Sequence, residues 1–162
     1  MDHNMLIVKQ VSKRFPRKTR NFMTVRNQTI LLVDDEARQR LRMRNSLRDA
    51  GYRVIESRDF KEAHAIYERL REEIDLLLID VSLPGKNGCE LAKDALAVDP
   101  TVKVLLMSGH TGAEVCRFYG IPATDVHFLE KPFRAIDLLA RVRYVLESAE
   151  PFSAGATGTA SA

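Results

Sequence analysis

The chain has no tryptophan, two cysteines, and no apolar run near the roughly 20 residues that cross a bilayer. Each shortage closes off a class of protein. Cys89 and Cys116 lack metal-ligand spacing, so both are expected as reduced, non-catalytic thiols. The stretch Met5-Leu6-Ile7-Val8 is too short for a secretory hydrophobic region and has no small-residue cleavage site behind it, so a cytoplasmic protein without a transmembrane segment is expected. Glycine-rich phosphate loops are missing too. A dinucleotide fold wants Gly-x-Gly-x-x-Gly after its first strand, a P-loop wants Gly-x-x-x-x-Gly-Lys, and a flavodoxin wants a Ser/Thr/Gly-rich loop there. This chain has Asp34-Asp35-Glu36 at that place. No helix-turn-helix or winged segment is legible, which argues against a DNA-binding domain.

The 162 residues suffice for one domain with a sizeable core. The net charge of +3 is unevenly spread: residues 1–28 hold seven basic residues and one acid, which leaves the rest at −3. The basic character therefore belongs to an N-terminal arm, expected to be flexible, and not to the folded body. Weak binding to nucleic acid or anionic membrane and a dispensable extension are both open for it, with dispensability favoured. At the other end, residues 149–162 are small and almost uncharged, and a disordered tail is expected. The domain is expected over residues 29–148 with no effector domain after it.

Within those bounds short apolar runs alternate with stretches of helical length. Ile30-Leu31-Leu32-Val33, Leu76-Leu77-Leu78-Ile79 and Val102 to Met107 have the unbroken apolar character of strands buried on both faces. Arg53 to Glu56 and Val126 to Leu129 complete a set of five. Helices are expected from Glu36 to Ala50, stopping at Gly51; from Asp59, a suitable N-cap, to Arg71; from Cys89 to Val98; after Thr111; and from Arg134 to about Ser148. In the last, Ile136, Leu139, Ala140, Val142, Arg143 and Leu146 stand near helical spacing, which reads as its inward, mostly apolar side. Strands alternating with helices point to an α/β fold, a doubly wound five-stranded parallel sheet with five helices.

The crevice of such a sheet lies beyond the carboxyl ends of its strands. This sequence puts Asp34 and Asp35 after the first strand, Asp80 after the third, Ser108 and Gly109 after the fourth, and Lys131-Pro132 after the fifth. Clustered carboxylates need a cation, and hard oxygen donors suit Mg²⁺. A cation with Lys131 would neutralise a phosphoryl group in transfer, Ser108 would donate a hydrogen bond to it, and Gly109 would leave the approach open. The Asp80 carboxylate is the natural acceptor.

Four segments, Ile30-Leu-Leu-Val-Asp-Asp-Glu36, Leu77-Leu-Ile-Asp-Val-Ser-Leu-Pro-Gly-Lys-Asn-Gly88, Leu106-Met-Ser-Gly109 and Phe128-Leu-Glu-Lys-Pro-Phe133, follow predicted strands in this order. Together they resemble the receiver domain of bacterial two-component response regulators, with a flavour of receivers from hybrid histidine kinases. The resemblance implies strand order 2-1-3-4-5 and Asp80 as phosphoacceptor. It implies Mg²⁺ held by Asp35 and Asp80, by the backbone carbonyl of Ser82, and by Asp34 through water. It further implies Ser108 as switch hydroxyl, Phe128 as switch aromatic, Lys131 on the phosphoryl oxygens, and a cis Lys131–Pro132 bond. From the sequence itself Phe128 reads equally well as plain core. Within the resemblance Ser82 and His110 are less typical, at positions similar to those that tune phosphoryl lifetime.

The resulting expectation is a single-domain, cytoplasmic response regulator and not a turnover enzyme. A histidine kinase or histidine phosphotransfer protein would be its donor. A downstream protein would meet the face built from the fourth helix, fifth strand and fifth helix. The alternative is a phosphate shuttle or sink in a phosphorelay. A small Mg²⁺-dependent phosphohydrolase using Asp80 as nucleophile is the rival; such enzymes carry a second Asp two places on, where this chain has Ser82. Arg38, Arg40, Arg42, Arg44 and Arg48 along the first helix read as a solvated face, or else as a surface steering an acidic donor.

Overall fold

A computed structural model of the chain describes residues 28–148. The basic arm and the C-terminal tail expected from the sequence lie outside the described residues, apart from Gln28. Ten elements alternate along the described residues: β1 Thr29–Val33, α1 Ala37–Asp49, β2 Arg53–Ser57, α2 Phe60–Leu70, β3 Leu76–Asp80, α3 Gly88–Val98, β4 Lys103–Ser108, α4 Gly112–Tyr119, β5 His127–Glu130 and α5 Ala135–Glu147. The strands form one sheet, paired in parallel, in the order β2-β1-β3-β4-β5. Fold class and strand order agree with the expectation.

Alternation along the central strands builds two cores. Leu31, Val33, Leu77, Ile79, Val104 and Leu106 point to one face, where α2, α3 and α4 cover them with Ala63, Tyr67, Leu91, Ala92, Ala95 and Val115. Ile30, Leu32, Leu76, Leu78, Leu105 and Met107 point to the other, where α1 brings Met43 and Leu47 and α5 brings Leu138, Val142 and Val145. Every residue of β1 and β3 is buried, so these strands read as unbroken apolar runs.

Local chemistry sets the helix ends. Asp59 accepts the Glu62 N–H at 2.8 Å as the N-cap of α2, and Asn87 caps α3 through the Glu90 N–H. Thr111 and Glu114 form a reciprocal capping box on α4. Gly51, at φ +97°, takes the left-handed turn after α1 that a side chain would strain.

α5 corrects the expected apolar side. Its inward stripe is Leu138, Val142, Val145 and Leu146, whereas Ile136 is 65% exposed and Ala140 is exposed. Positions two apart on a helix point nearly opposite ways, so seating Leu138 turns Ile136 and Ala140 outward.

Candidate functional site

The carboxyl end of the sheet gathers the acids. In register, β1 Val33 pairs with β3 Ile79, so the next residues, Asp34 and Asp80, leave adjacent strands at the same level. Asp34 and Asp80 are buried and Asp35 is exposed. One carboxylate oxygen from each of the three lies within 4.8 Å of the others. Burial pushes the Asp34 carboxyl above its ordinary pKa, and the charge of Asp80 adds to the rise. The Glu36 N–H, Lys131 and Gln39 act the other way.

Lys131 supplies the facing cation. Its Nζ donates to Asp80 Oδ2 at 2.6 Å, and the Ser82 N–H donates to Asp80 Oδ1 at 2.9 Å, so both acceptor oxygens are engaged. The loop carrying Lys131 is tied to the neighbouring strand end: its N–H donates to the Ser108 carbonyl at 2.7 Å. The Lys131–Pro132 bond is cis, as the resemblance implies. Ser108 is buried at the end of β4, one place beyond Met107, which pairs with Asp80. Its Oγ accepts the His110 N–H at 3.0 Å and keeps its own proton to donate.

Several supports of the site have no such role in the sequence reading, which places Arg40 only on the arginine face of the first helix. Asp34 Oδ1 accepts the Glu36 N–H at 2.8 Å, and Oδ2 accepts Gln39 Nε2 at 2.7 Å. Arg40 Nη1 donates to the Asp34 carbonyl. Gly88 packs beneath Asp80, where an added Cβ would stand 2.1 Å from the Asp80 carbonyl oxygen. Its glycine was visible in the sequence; the close approach that demands it was not. Gly109 behaves differently. A Cβ there would meet nothing within 4 Å, so the open approach does not depend on glycine.

Phe128 sits in β5 opposite Leu106, half-buried against the core, with its carbonyl held by Arg141 Nε at 3.0 Å. The arginines of α1 divide. Arg40 and Arg44 pair with Glu56 at 3.4 and 3.1 Å, and Arg48 donates to the Val54 carbonyl. Arg38 and Arg42 are exposed beside Leu41, itself 45% exposed. The exposed arginine surface is thus smaller than five arginines in a row.

The donor set fits Mg²⁺. Three carboxylates converge, with no nitrogen or sulfur ligand in the cluster among the described residues. Among the described residues no helix is long and apolar enough to cross a membrane.

A family model described as the response regulator receiver domain matches residues 30–143. The response regulator receiver protein CpdR of Brucella abortus is 34% identical over 121 residues, 74% of this chain and 98% of CpdR. The phosphate regulon regulatory protein PhoB of Pseudomonas aeruginosa is 35% identical over 76% of this chain, but the chain spans only 53% of PhoB. Among solved structures, the receiver domain of the hybrid histidine kinase CckA is 37% identical with a TM-score of 0.62, over 74% of this chain and 99% of that one. The chemotaxis response regulator CheY4 of Vibrio cholerae is 29% identical with a TM-score of 0.65, over 73% of this chain and 98% of that one.

Proposed function

The chain belongs to the response regulator receiver domain family, and from that premise we propose that Asp80 accepts a phosphoryl group and that the protein signals through the surface change that follows. The observation that carries this reading is the 2.6 Å contact of Lys131 Nζ with Asp80 beside two further carboxylates. A lysine and three acids at the mouth of a parallel sheet leave an excess of negative charge that a divalent cation would balance while a phosphoryl group is transferred.

The donor would be a phosphorylated histidine of a kinase or phosphotransfer protein. An Asp80 oxygen attacks phosphorus, the P–O bond forms as the P–N bond to the imidazole breaks, and the imidazole leaves with a proton from solvent. Asp35, Asp80, the Ser82 carbonyl and, through water, Asp34 would hold Mg²⁺; when bound, it supplies positive charge for the carboxylates and for the incoming phosphoryl oxygens. Lys131 supplies the matching charge from the protein side. Ser108 then turns its hydroxyl toward a phosphoryl oxygen, and Phe128 follows into the space it leaves. The α4–β5–α5 face changes shape and meets a downstream protein, in the cytoplasm. Water removes the group slowly.

Acetyl phosphate with Mg²⁺, followed by intact-mass measurement, separates the rivals. A persistent adduct of one phosphoryl group that vanishes in Asp80→Asn supports the receiver. Rapid multiple turnover of small phosphoesters supports the hydrolase, against which Ser82 already stands.

A further inference from the structure

Gly112 opens α4 directly over the ring of Phe128. A Cβ built at Gly112 would lie 2.7 Å from Phe128 Cδ2 and 2.8 Å from Cγ, inside the distance that non-bonded carbons tolerate. The close approach is between two elements that are otherwise independently anchored. α4 is fixed at its start by the Thr111–Glu114 capping box, and β5 is fixed at Phe128 by the bond from Arg141 of α5 to its carbonyl. The ring therefore occupies its half-buried seat only because residue 112 has no side chain.

We infer that Gly112 is a positioning residue for the aromatic switch, the position that decides whether the Phe128 ring can seat between α4 and the sheet. This rests on the switch role proposed for Phe128 and deepens it. The ring already packs against the core with Asp80 unmodified, so the seat is built in and phosphorylation need only shift its occupancy. With any side chain at residue 112 the ring would be held outward, and the α4–β5–α5 face would lose its link to Asp80. Ser108, Lys131 and the acids lie outside this contact, so phosphoryl uptake is expected to continue.

The test uses the full chain with para-fluorophenylalanine introduced at position 128 and read by ¹⁹F NMR, with and without beryllofluoride and Mg²⁺ as phosphoryl mimic. In the parent protein a seated-ring signal is expected that grows with the mimic. In Gly112→Ala that signal is expected to disappear in both conditions, while acetyl phosphate labels Asp80 at a rate within about twofold of the parent. Were Gly112→Ala to fold poorly, a thermal cycle decides: the alanine should lower the melting midpoint when Phe128 is present and not when it is combined with Phe128→Ala. A seated signal unchanged in Gly112→Ala, or an equal loss of midpoint in both backgrounds, overturns the inference. Failure of Asp80 to label in the parent would instead sink the receiver reading, while displacement of the ring by the alanine would still be seen.

Discussion

Asp34→Asn should make the metal-free protein more stable at neutral pH, although it removes a hydrogen-bonded, buried side chain. The cause is burial of a charged carboxylate first, and the like charge crowded beside it second. With ligand oxygens within 4.8 Å, each carboxylate pair repels by about 3.5 kcal/mol at an effective dielectric near 20. Asp34 meets two such pairs, with Asp35 and Asp80, and the Glu36 N–H and Lys131 oppose them in part. Exposure of Asp35 screens the remainder further. A net gain of about 1–3 kcal/mol follows, or a melting midpoint higher by about 4–10 °C. The amide keeps the Glu36 N–H contact, and Gln39 can turn its own amide to match. The sign follows from the raised carboxyl pKa. A group whose folded value lies above its unfolded value favours the fold in acid, and that contribution is lost as pH rises through the folded value. Parent and variant should therefore melt alike below the ordinary carboxylate value of 3.8 and diverge upward from it. Mg²⁺ should close the gap, since a ligand at about 100 times its dissociation constant adds about 2.7 kcal/mol to the protein that binds it. Thermal melts with chelator and with Mg²⁺, from pH 3.5 to 7.5, measure all of this. A variant that melts below the parent at pH 7 in chelator, or that gains as much from Mg²⁺, refutes the reasoning.

Three further outcomes are expected. Lys131→Ala should slow labelling by acetyl phosphate about 10²–10³-fold, the usual loss on removing one charge-stabilising donor, measured as the rate of adduct formation. Reversing Arg38 and Arg42 to Glu should slow phosphoryl transfer from an acidic histidine phosphotransfer protein and flatten its salt dependence in stopped-flow, while Arg44→Glu should chiefly cost stability, because Arg44 is spent on Glu56. Cys89 is buried, and burial pushes its thiol up to about 11, so at pH 8 it should resist a thiol reagent until the domain unfolds; fast reaction in the native protein would show that α3 opens locally.

The acids at the strand ends were legible because they interrupt apolar runs that only buried parallel strands produce. Asp34, Asp80 and Lys131 each follow such a run, and the sheet turns separations of 46 and 51 residues into contact. What escaped the sequence is what depends on rotation and close approach. Periodicity in α5 left open which of two adjacent apolar stripes faces the sheet, and Ile136 fell on the wrong one. The pairing of Arg40 and Arg44 with Glu56 requires knowing that β2 is the edge strand beside α1. Gln39 bonds Asp34 five residues away through a helix start that has no side-chain cap of its own, a geometry no spacing rule announces. The contact of Gly112 with Phe128 joins two elements through an absent side chain, which leaves no mark in a pattern of residue types.

Peptide mapping after acetyl phosphate and Mg²⁺, with the acyl phosphate trapped by borohydride reduction, tests the central assignment most directly. The label is expected on Asp80 alone, in the peptide that continues into Val81 and Ser82. Label on Asp34, Asp35 or any histidine, or none in a protein whose Lys131 and three acids are intact, would contradict the account.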